Sequence, residues 1–384
     1  MTARALIVGA LLAATLPAAA EAPRARDLGI PFDGTPGRLN AITDVAGVTV
    51  GHETIVADLP DGRAARTGVT AVLPRGRDSM NVQVYAGWTA LNGNGEMTGT
   101  TWVSESGFLE GPVMITNTHS VGAVHEGTIR WRVAQDGADA TGYFWSLPVV
   151  AETWDGWLND INSFHVRPAH AGKALDAATS GPVAEGGVGG GTGMMCFELK
   201  CGIGTASRLV DVHGNAYTLG VLVQANFGVR AELRIAGVPV GPSMPGVPVY
   251  TDDEPPDGNS SIIAVVATDA PLLPHQLDRI ARRVSLGVAR TGGIAHNGSG
   301  DIFMAFSTAN AAAGRGEAGA VIQSLPNHTL DPLFEATVQA TEEAIINALV
   351  AGRDMTGDLG HRVSGLDHDR VRDLLRQHGR LRQP

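Results

Sequence analysis

The chain has little cysteine: Cys196 and Cys201 are its only two in 384 residues. Two cysteines without a nearby pair of histidines do not make a zinc site. A tight hairpin could join them in a disulfide, but in one straight strand the four residues between them would hold them too far apart for bridging geometry. We therefore expect two buried free thiols.

Clusters of basic residues are also missing, and the net charge of the chain is strongly negative. Its formal net charge is -11, and Lys and Arg are scattered along the sequence. Nucleic acid or an anionic membrane would require basic residues gathered on one face, so we expect neither as a partner. A small molecule or peptide fits this charge better.

Long hydrophobic runs are absent except at the N-terminus. Residues 1–22 combine a positive start at Arg4, an apolar run over residues 5–16 and small residues at Ala18, Ala20 and Ala22. This pattern is typical of a secretory signal peptide, and the run is short for a membrane span. We expect residues 1–22 to be removed and the mature protein, residues 23–384, to be periplasmic or secreted, with no membrane association.

The common hydrolase and cofactor motifs are missing too. No serine lies in G-x-S-x-G or S-x-x-K, and the two "HE" sequences, at His52 and His125, lack the second histidine of a zinc protease helix. The run "EGGVGGGTGMM" at residues 185–195 has neither a dinucleotide nor a P-loop spacing, so it predicts tight turns. We expect no metal and no cofactor.

What is present is a mixed α/β pattern in a single domain. Hydrophobic residues make up 43% of the chain, which is ample for a core. Buried strands are predicted at residues 48–50, 113–116, 218–224, 262–267 and 302–307. Helices are predicted at residues 274–289, 331–351 and 369–378. Apolar residues recur at helical spacing in the first, Asp331-Pro332 opens the second, and Asp367 precedes the third.

Two strand starts carry side chains suited to catalysis. In "PPDGNSSIIAVVATD", residues 255–269, two serines follow a loop and open a buried strand. In "HNGSGDIFMAFSTAN", Ser299 and Asp301 are two apart and would emerge on the same face of a strand. A Ser hydroxyl needs a base, and a chain cut before the serine would supply one, because its new α-amine has a pKa near operating pH.

Long segments of the chain resemble a family of self-processing aminopeptidases that includes L-aminopeptidase/D-esterase and the β-peptidyl aminopeptidases. The matching segments include "VMITNTHSVGAVHEG", "WSLPVVAETWDGWLND", "LGVLVQANFG" and "SGDIFMAFSTAN". The resemblance implies a four-layer α/β/β/α sandwich like that of N-terminal-nucleophile hydrolases. It also implies a precursor cut into residues 23–260 and 261–384, which stay together, and a homotetramer of cut protomers.

The resemblance also implies roles for individual residues. Ser261 would be the nucleophile and Ser260-Ser261 the cleaved bond, with Ser260 as the alternative nucleophile. Ser299 and Asp301 would assist the nucleophile and hold its amine, although some relatives have Glu at the second position. Asn226 would donate to the oxyanion, and Glu152 would bind the substrate's amino group. Relatives commonly have Tyr where this chain has Trp154, which would reshape the substrate pocket.

We therefore predict an exported serine aminopeptidase or amidase. It would release N-terminal residues from small peptides, amides or esters with a free amino terminus, with L-α, D-α or β-aminoacyl groups all open. The alternative is a self-processed aminoacyl-transferase or a non-catalytic small-peptide binding protein on the same scaffold. A binding protein would not need Ser261, Asn226, Ser299, Asp301 and Glu152 together, which favours the hydrolase.

Overall fold

The structure, a computed structural model, describes residues 23–135, 144–245, 249 and 260–382. The predicted signal peptide and the loop residues 250–259 before the paired serines lie outside the described residues. The strands in chain order are β1 Thr49–Asp58, β2 Ala64–Arg77, β3 Val84–Gly93, β4 Phe108–Leu109, β5 Val113–Asn117, β6 Val149–Thr153, β7 Met195–Cys196, β8 Leu199–Lys200, β9 Ile203–Val212, β10 Asn215–Asn226, β11 Arg234–Ile235, β12 Val238–Pro239, β13 Ser260–Thr268, β14 Ser299–Ser307, β15 Met355–Thr356 and β16 Arg362–Val363.

Two sheets form the centre of the molecule. The first has the strand order β1-β2-β5-β6, and the second has the order β4-β3-β14-β13-β10-β9. Pairing is antiparallel except for β5 with β6 and β13 with β14, which are parallel. Buried side chains on both faces of β13 and β14 explain why their sequences read as continuous apolar runs.

Helices pack against both sheets. They are α1 Thr100–Ser106, α2 Val121–Ala134, α3 Pro168–Asp176, α4 Pro274–Arg290, α5 Ala311–Gly314, α6 Asp331–Ala351 and α7 His368–Gln377. Among the residues that the structure describes, none of the helices is long and apolar enough to cross a membrane.

Three apolar clusters separate four layers. One lies between the first sheet and helices α2 and α3, a second lies between the two sheets, and the largest packs the second sheet against α4, α6 and α7. The predicted α/β/β/α sandwich is therefore confirmed. It follows from strands whose alternate residues face a helix layer and the partner sheet.

The predicted helices have nearly the observed bounds. Helix α4 begins at Pro274 and ends one residue beyond the predicted range, α6 matches residues 331–351, and α7 is shifted by one residue towards the N-terminus. Proline in the first turn fixes the first two starts, and the Asp367 carboxylate accepts a hydrogen bond from Arg370 N at the third. Strand β1 is longer than predicted, because its second half alternates between half-buried and exposed residues.

The glycine-rich run forms the tight turns that were expected. A side chain at Gly190 would collide with the Gln224 amide, and one at Gly68 would collide with the Gly189 carbonyl. These glycines let the segment pass close to both sheets. The segment thereby reaches the end of β10, where the candidate site lies.

Candidate active site

Ser261 lies near the start of β13, between the two sheets. Strand pairing places it opposite Asn226, the last residue of β10, and beside Gly300 of β14. Its hydroxyl oxygen accepts a hydrogen bond from the backbone nitrogen of Trp154, which follows β6 in the other sheet, at 3.3 Å. Ser261 is only 2% exposed. One edge of the sandwich thus brings three strand ends to one hydroxyl group.

The Asn226 side chain is oriented by the neighbouring hairpin. Its Oδ1 accepts a hydrogen bond from Met195 N at 2.9 Å, and the residue is 2% exposed. This contact assigns the oxygen end of the amide to Met195 and places the NH2 donor on the opposite side. A fixed amide donor beside a serine is the arrangement that an oxyanion site requires.

Ser299 and Asp301 form the pair that their spacing predicted. The Ser299 hydroxyl donates to Asp301 Oδ1 at 2.7 Å, and its oxygen lies 3.2 Å from the hydroxyl oxygen of Ser260. Because side chains alternate along β13, this pair faces Ser260 and lies on the opposite side of the sheet from the Ser261 side chain. The structure therefore brings the pair to the residue before the predicted cut.

The Asp301 carboxylate is buried and incompletely satisfied. Burial raises its pKa to about 6, against the opposing effect of hydrogen bonds from Ser299 and from the backbone of Ile262. Its Oδ2 has no hydrogen-bond partner among the described residues. A cationic group at this place would stabilise the ionised carboxylate.

Glu152 lies in β6, with its carboxylate held by two donors. Its Oε1 accepts from Glu96 N at 3.0 Å, and its Oε2 accepts from the Thr118 hydroxyl. The residue is 3% exposed, and burial raises the pKa of its carboxyl although both hydrogen bonds act to lower it. Among the described residues the carboxylate has no salt-bridge partner.

At Gly95 the chain passes close both to Glu152 and to Gly300, which follows Ser299 in β14. An ideal Cβ on Gly95 would lie 3.3 Å from Glu152 Oε1 and 3.0 Å from the Cα of Gly300. Only a residue without a side chain allows this approach of the Gly95 loop to β14. Glu152 and the Ser299–Asp301 pair therefore flank the same strand end.

The model of peptidase family S58 matches residues 40–363. The chain belongs to peptidase family S58. The prediction of a self-processing aminopeptidase family, made from matching segments, is confirmed at the level of the family.

Named relatives match over nearly their whole length. The beta-peptidyl aminopeptidase of Sphingosinicella microcystinivorans is 52% identical over 393 residues, covering 98% of this chain and 97% of that protein. The solved structure of the L-aminopeptidase D-Ala-esterase/amidase from Ochrobactrum anthropi, described as a variant of the Ntn hydrolase fold, is 50% identical with a TM-score of 0.86, covering 94% of this chain and 99% of that one. A Burkholderia sp. beta-aminopeptidase structure is 48% identical with a TM-score of 0.84, covering 94% and 100%.

The comparisons confirm the fold and the enzyme class. The chain has the Ntn hydrolase fold and is a hydrolase, an aminopeptidase of family S58. Within the described part of the chain, no group of three or more His, Cys, Asp or Glu side chains is arranged to hold a metal ion.

Trp154 presents its backbone and its ring to different surroundings. Its nitrogen contacts Ser261, while its half-exposed indole packs over Gly156, where an ideal Cβ would lie 2.5 Å from the ring. The bulky ring thus occupies the space above a glycine next to the site. An effect of Trp154 on the substrate pocket stays a prediction.

Asp155 is a site-supporting residue that sequence reasoning missed. Its carboxylate accepts from Asn117 Nδ2 at 3.1 Å and from Asn159 Nδ2 at 3.0 Å, and burial raises its pKa to about 6. Because Asn117 ends β5, these bonds anchor the turn after β6 and so hold the Trp154 backbone against Ser261. Its place in "ETWDG", between Trp154 and a glycine, was the available signal.

The expectation of two free thiols was wrong. Cys196 and Cys201 form a disulfide with a Cα–Cα distance of 5.4 Å. They do not share one straight strand, because β7 and β8 pair as a hairpin whose turn residues, Phe197 and Glu198, have φ of 51° and 59°. Neither turn residue is glycine or asparagine, so no ordinary hairpin signal marks this turn in the sequence.

Proposed function

We propose that this protein is an exported aminopeptidase that cuts its own chain at the Ser260-Ser261 bond and then uses Ser261 as an N-terminal nucleophile. The observation that carries the proposal is the position of Ser261: it lies near the start of a buried strand, opposite Asn226, with its hydroxyl oxygen 3.3 Å from Trp154 N. Membership of family S58 supports the same reaction class.

Self-cleavage is an acyl shift followed by hydrolysis. The Ser261 hydroxyl attacks the carbonyl carbon of Ser260, the C–N bond breaks, and the hydroxyl proton passes to the departing nitrogen. An ester then joins Ser260 to the Ser261 oxygen. Water attacks this ester, which leaves a carboxylate on Ser260 and restores the hydroxyl of Ser261, now beside a free α-amine.

Turnover uses that amine as the base. An α-amine has a reference pKa of roughly 7.7 to 8.0, so it accepts the hydroxyl proton near neutral pH. The Ser261 oxygen attacks the substrate carbonyl, the Asn226 NH2 group stabilises the oxyanion, and the proton goes to the leaving amine. Water then hydrolyses the acyl-enzyme. A single oxyanion donor contributes about 100-fold to 1,000-fold in rate.

Ser299 and Asp301 hold the new amine in this proposal. In the uncut chain the Ser299 hydroxyl contacts that of Ser260, the last residue before the cut, and donates to Asp301. An amine at Ser261 would lie one residue further along the same strand, and the Ser299 hydroxyl and the Asp301 carboxylate would orient it. Asp301 Oδ2 has no hydrogen-bond partner in the part of the chain that the structure describes, which supports this role, because a charged donor stabilises a buried carboxylate oxygen.

Glu152 recognises the substrate's ammonium group. It is a buried carboxylate with neutral donors and, in the described part of the chain, no cationic partner. A substrate ammonium would complete its hydrogen bonding and favour its ionised form. Substrates are therefore small peptides, amides or esters with a free amino terminus. The names of the relatives favour β-aminoacyl groups among the L-α, D-α and β classes.

The two fragments, residues 23–260 and 261–384, stay associated after cleavage. Strands β13 and β14 of the small fragment lie between β3 and β10 of the large fragment in one sheet. Buried Glu343 of α6 also forms salt bridges with Arg26 at 2.7 Å and Arg208 at 2.8 Å, both in the large fragment. We further propose a homotetramer of such protomers, as the family resemblance implies.

Export to the periplasm or the medium is supported by two features. Residues 1–22 have the pattern of a signal peptide, and a buried disulfide is typical of proteins that fold in an oxidising compartment. We propose that the mature protein starts near Pro23.

A substrate panel tests the proposed function. Purified protein is incubated with L-α, D-α and β-aminoacyl p-nitroanilides, and the release of p-nitroaniline is followed. We expect release from at least one class with a free amine and none from its N-acetylated counterpart. A failure of all free-amine substrates would contradict the aminopeptidase, and acyl transfer to an added amine in preference to water would support the transferase instead.

A further inference from the structure

Lys200 is a buried lysine, and burial lowers the pKa of its amino group to about 7. It is 1% exposed, and its Nζ donates to three backbone carbonyls: Cys201 O at 2.6 Å, Met194 O at 3.0 Å and Gly191 O at 3.4 Å. No carboxylate pairs with it among the described residues. Burial of an ammonium group away from an anion is costly, so the position requires an explanation.

The Met194-Met195 peptide group links Lys200 to Asn226. Its carbonyl oxygen accepts from Lys200 Nζ at 3.0 Å and from Cys201 N at 3.2 Å. The N–H of the same peptide group donates to Asn226 Oδ1 at 2.9 Å. Donors on a carbonyl polarise the peptide and strengthen the hydrogen bond that its N–H makes. The effect continues through the Asn226 amide to its NH2 group.

The surroundings keep this chain of hydrogen bonds fixed. The disulfide closes the hairpin that contains Met195 and Lys200, and Phe197 N donates to Phe227 O at 2.8 Å, one residue beyond Asn226. An ideal Cβ on Gly187 would lie 3.2 Å from Lys200 Nζ, so the ammonium is also closely packed. Lys200 therefore has little room to leave the Met194 carbonyl.

We propose that Lys200 is a positioning residue for the oxyanion site: its ammonium acts through the Met194-Met195 peptide on the amide of Asn226 and strengthens that amide as an oxyanion donor. The proposal rests on the role of Asn226 in the proposed function. Lys200 does not contact the substrate, so its contribution appears when negative charge develops on the carbonyl oxygen. Its loss should lower kcat and leave KM nearly unchanged.

A double-mutant cycle tests the coupling. The variants are Lys200→Met, Asn226→Ala and the double variant, assayed with the best p-nitroanilide substrate. Lys173→Met is the matched control, because Lys173 is the other lysine of the chain and forms an exposed salt bridge with Glu53. We expect Lys200→Met to lower kcat about 10-fold and to leave KM within about twofold of the parent value. Asn226→Ala should lower kcat about 100-fold. The control should equal the parent protein.

The double variant separates positioning from a structural role. If Lys200 acts through Asn226, the double variant should be no slower than Asn226→Ala alone. A further 10-fold loss in the Asn226→Ala background, or an unchanged kcat for Lys200→Met, would overturn the proposal. Unchanged activity of Asn226→Ala would instead remove Asn226 from the proposed mechanism, which is a separate failure.

Two further measurements cover variants that fold or mature poorly. Lys200→Gln keeps an N–H donor without the charge and replaces Lys200→Met if that protein is insoluble. Variants that are purified largely as the uncut precursor are compared by their rate of self-cleavage on a denaturing gel. This rate provides the same double-mutant cycle, because an oxyanion forms in the cleavage step too. Additive losses in this cycle would also overturn the proposal.

Discussion

The hydroxyl oxygen of Ser260 lies 3.2 Å from that of Ser299, while its neighbour Ser261 faces the other side of the sheet. In the uncut chain, Ser299 therefore contacts Ser260, the last residue before the proposed cut. Asn226 lies opposite Ser261, the first residue after it. Cleavage between the two serines would turn the peptide nitrogen of Ser261 into a free α-amine near the Ser299–Asp301 pair. In the proposed mechanism, the two faces of this strand would therefore have separate tasks.

Replacing Glu152 tests recognition of the substrate ammonium. We expect Glu152→Gln to lower kcat/KM for free-amine substrates by about 10-fold to 150-fold, because a charge-assisted hydrogen bond contributes about 1.5 to 3 kcal/mol. N-acetylated substrates should remain poor with both proteins. The measurement is steady-state kinetics with paired blocked and free substrates.

The matched control for Glu152 is Glu96→Gln. Glu96 gives its backbone N–H to Glu152, but its own side chain is exposed. This variant should keep kcat/KM within a few-fold of the parent protein. If the parent enzyme turns over blocked and free substrates equally well, Glu152 does not have the proposed role.

The raised pKa of Asp301 predicts a pH-dependent stability in the uncut chain. Burial raises this pKa from 3.8 to about 6, so between these values the folded state binds more protons than the unfolded state. The contribution of Asp301 to stability is therefore largest below pH 3.8 and is lost as the pH rises through 6. The shift corresponds to about 3 kcal/mol, at about 1.36 kcal/mol per pKa unit.

The pH dependence is measured by comparing the Ser261→Ala protein with the same protein that also carries Asp301→Asn. The Ser261→Ala change ensures that no α-amine forms near the carboxyl group. Chemical denaturation at pH values from about 4 to 7 gives the free energy of unfolding of each. The protein that keeps Asp301 should lose stability relative to the Asp301→Asn variant as the pH rises. A constant difference across this range would show that the Asp301 carboxyl is not titrating near pH 6.

Parts of the fold and of the site follow from the sequence alone. Proline in the first turn predicts the starts of α4 and α6, and the two-residue spacing predicts the contact between Ser299 and Asp301. The donors to Glu152 could not be predicted, because Glu96 and Thr118 lie 56 and 34 residues away along the chain. The disulfide could not be predicted either, since its hairpin turns at two residues with positive φ that carry no turn signal.

The salt bridges of Glu343 join parts of the chain that lie on opposite sides of the proposed cut. Burial opposes its ionisation, but hydrogen bonding to Arg26 and the charge of Arg208 outweigh burial and lower the pKa of Glu343. We expect Glu343→Gln to lower the free energy of unfolding by about 3 to 5 kcal/mol, because Arg208 would remain buried without a full negative charge. Denaturation at one fixed protein concentration measures the change.

The neighbouring acid supplies a control for this prediction. Glu342 pairs with half-exposed Arg290, and both residues belong to the small fragment. Glu342→Gln should change the free energy of unfolding by less than about 1 kcal/mol. Similar losses for both variants would mean that the Glu343 network does not hold the fragments together.

Self-cleavage is tested most directly by N-terminal sequencing of the purified protein after separation on a denaturing gel. We expect two fragments, the smaller beginning with SIIAVV, and a single inactive band for Ser261→Ala. Ser260→Ala is the matched control and should still be cut and active. An active enzyme that consists of one unbroken chain, or a cut and active Ser261→Ala variant, would contradict the mechanism.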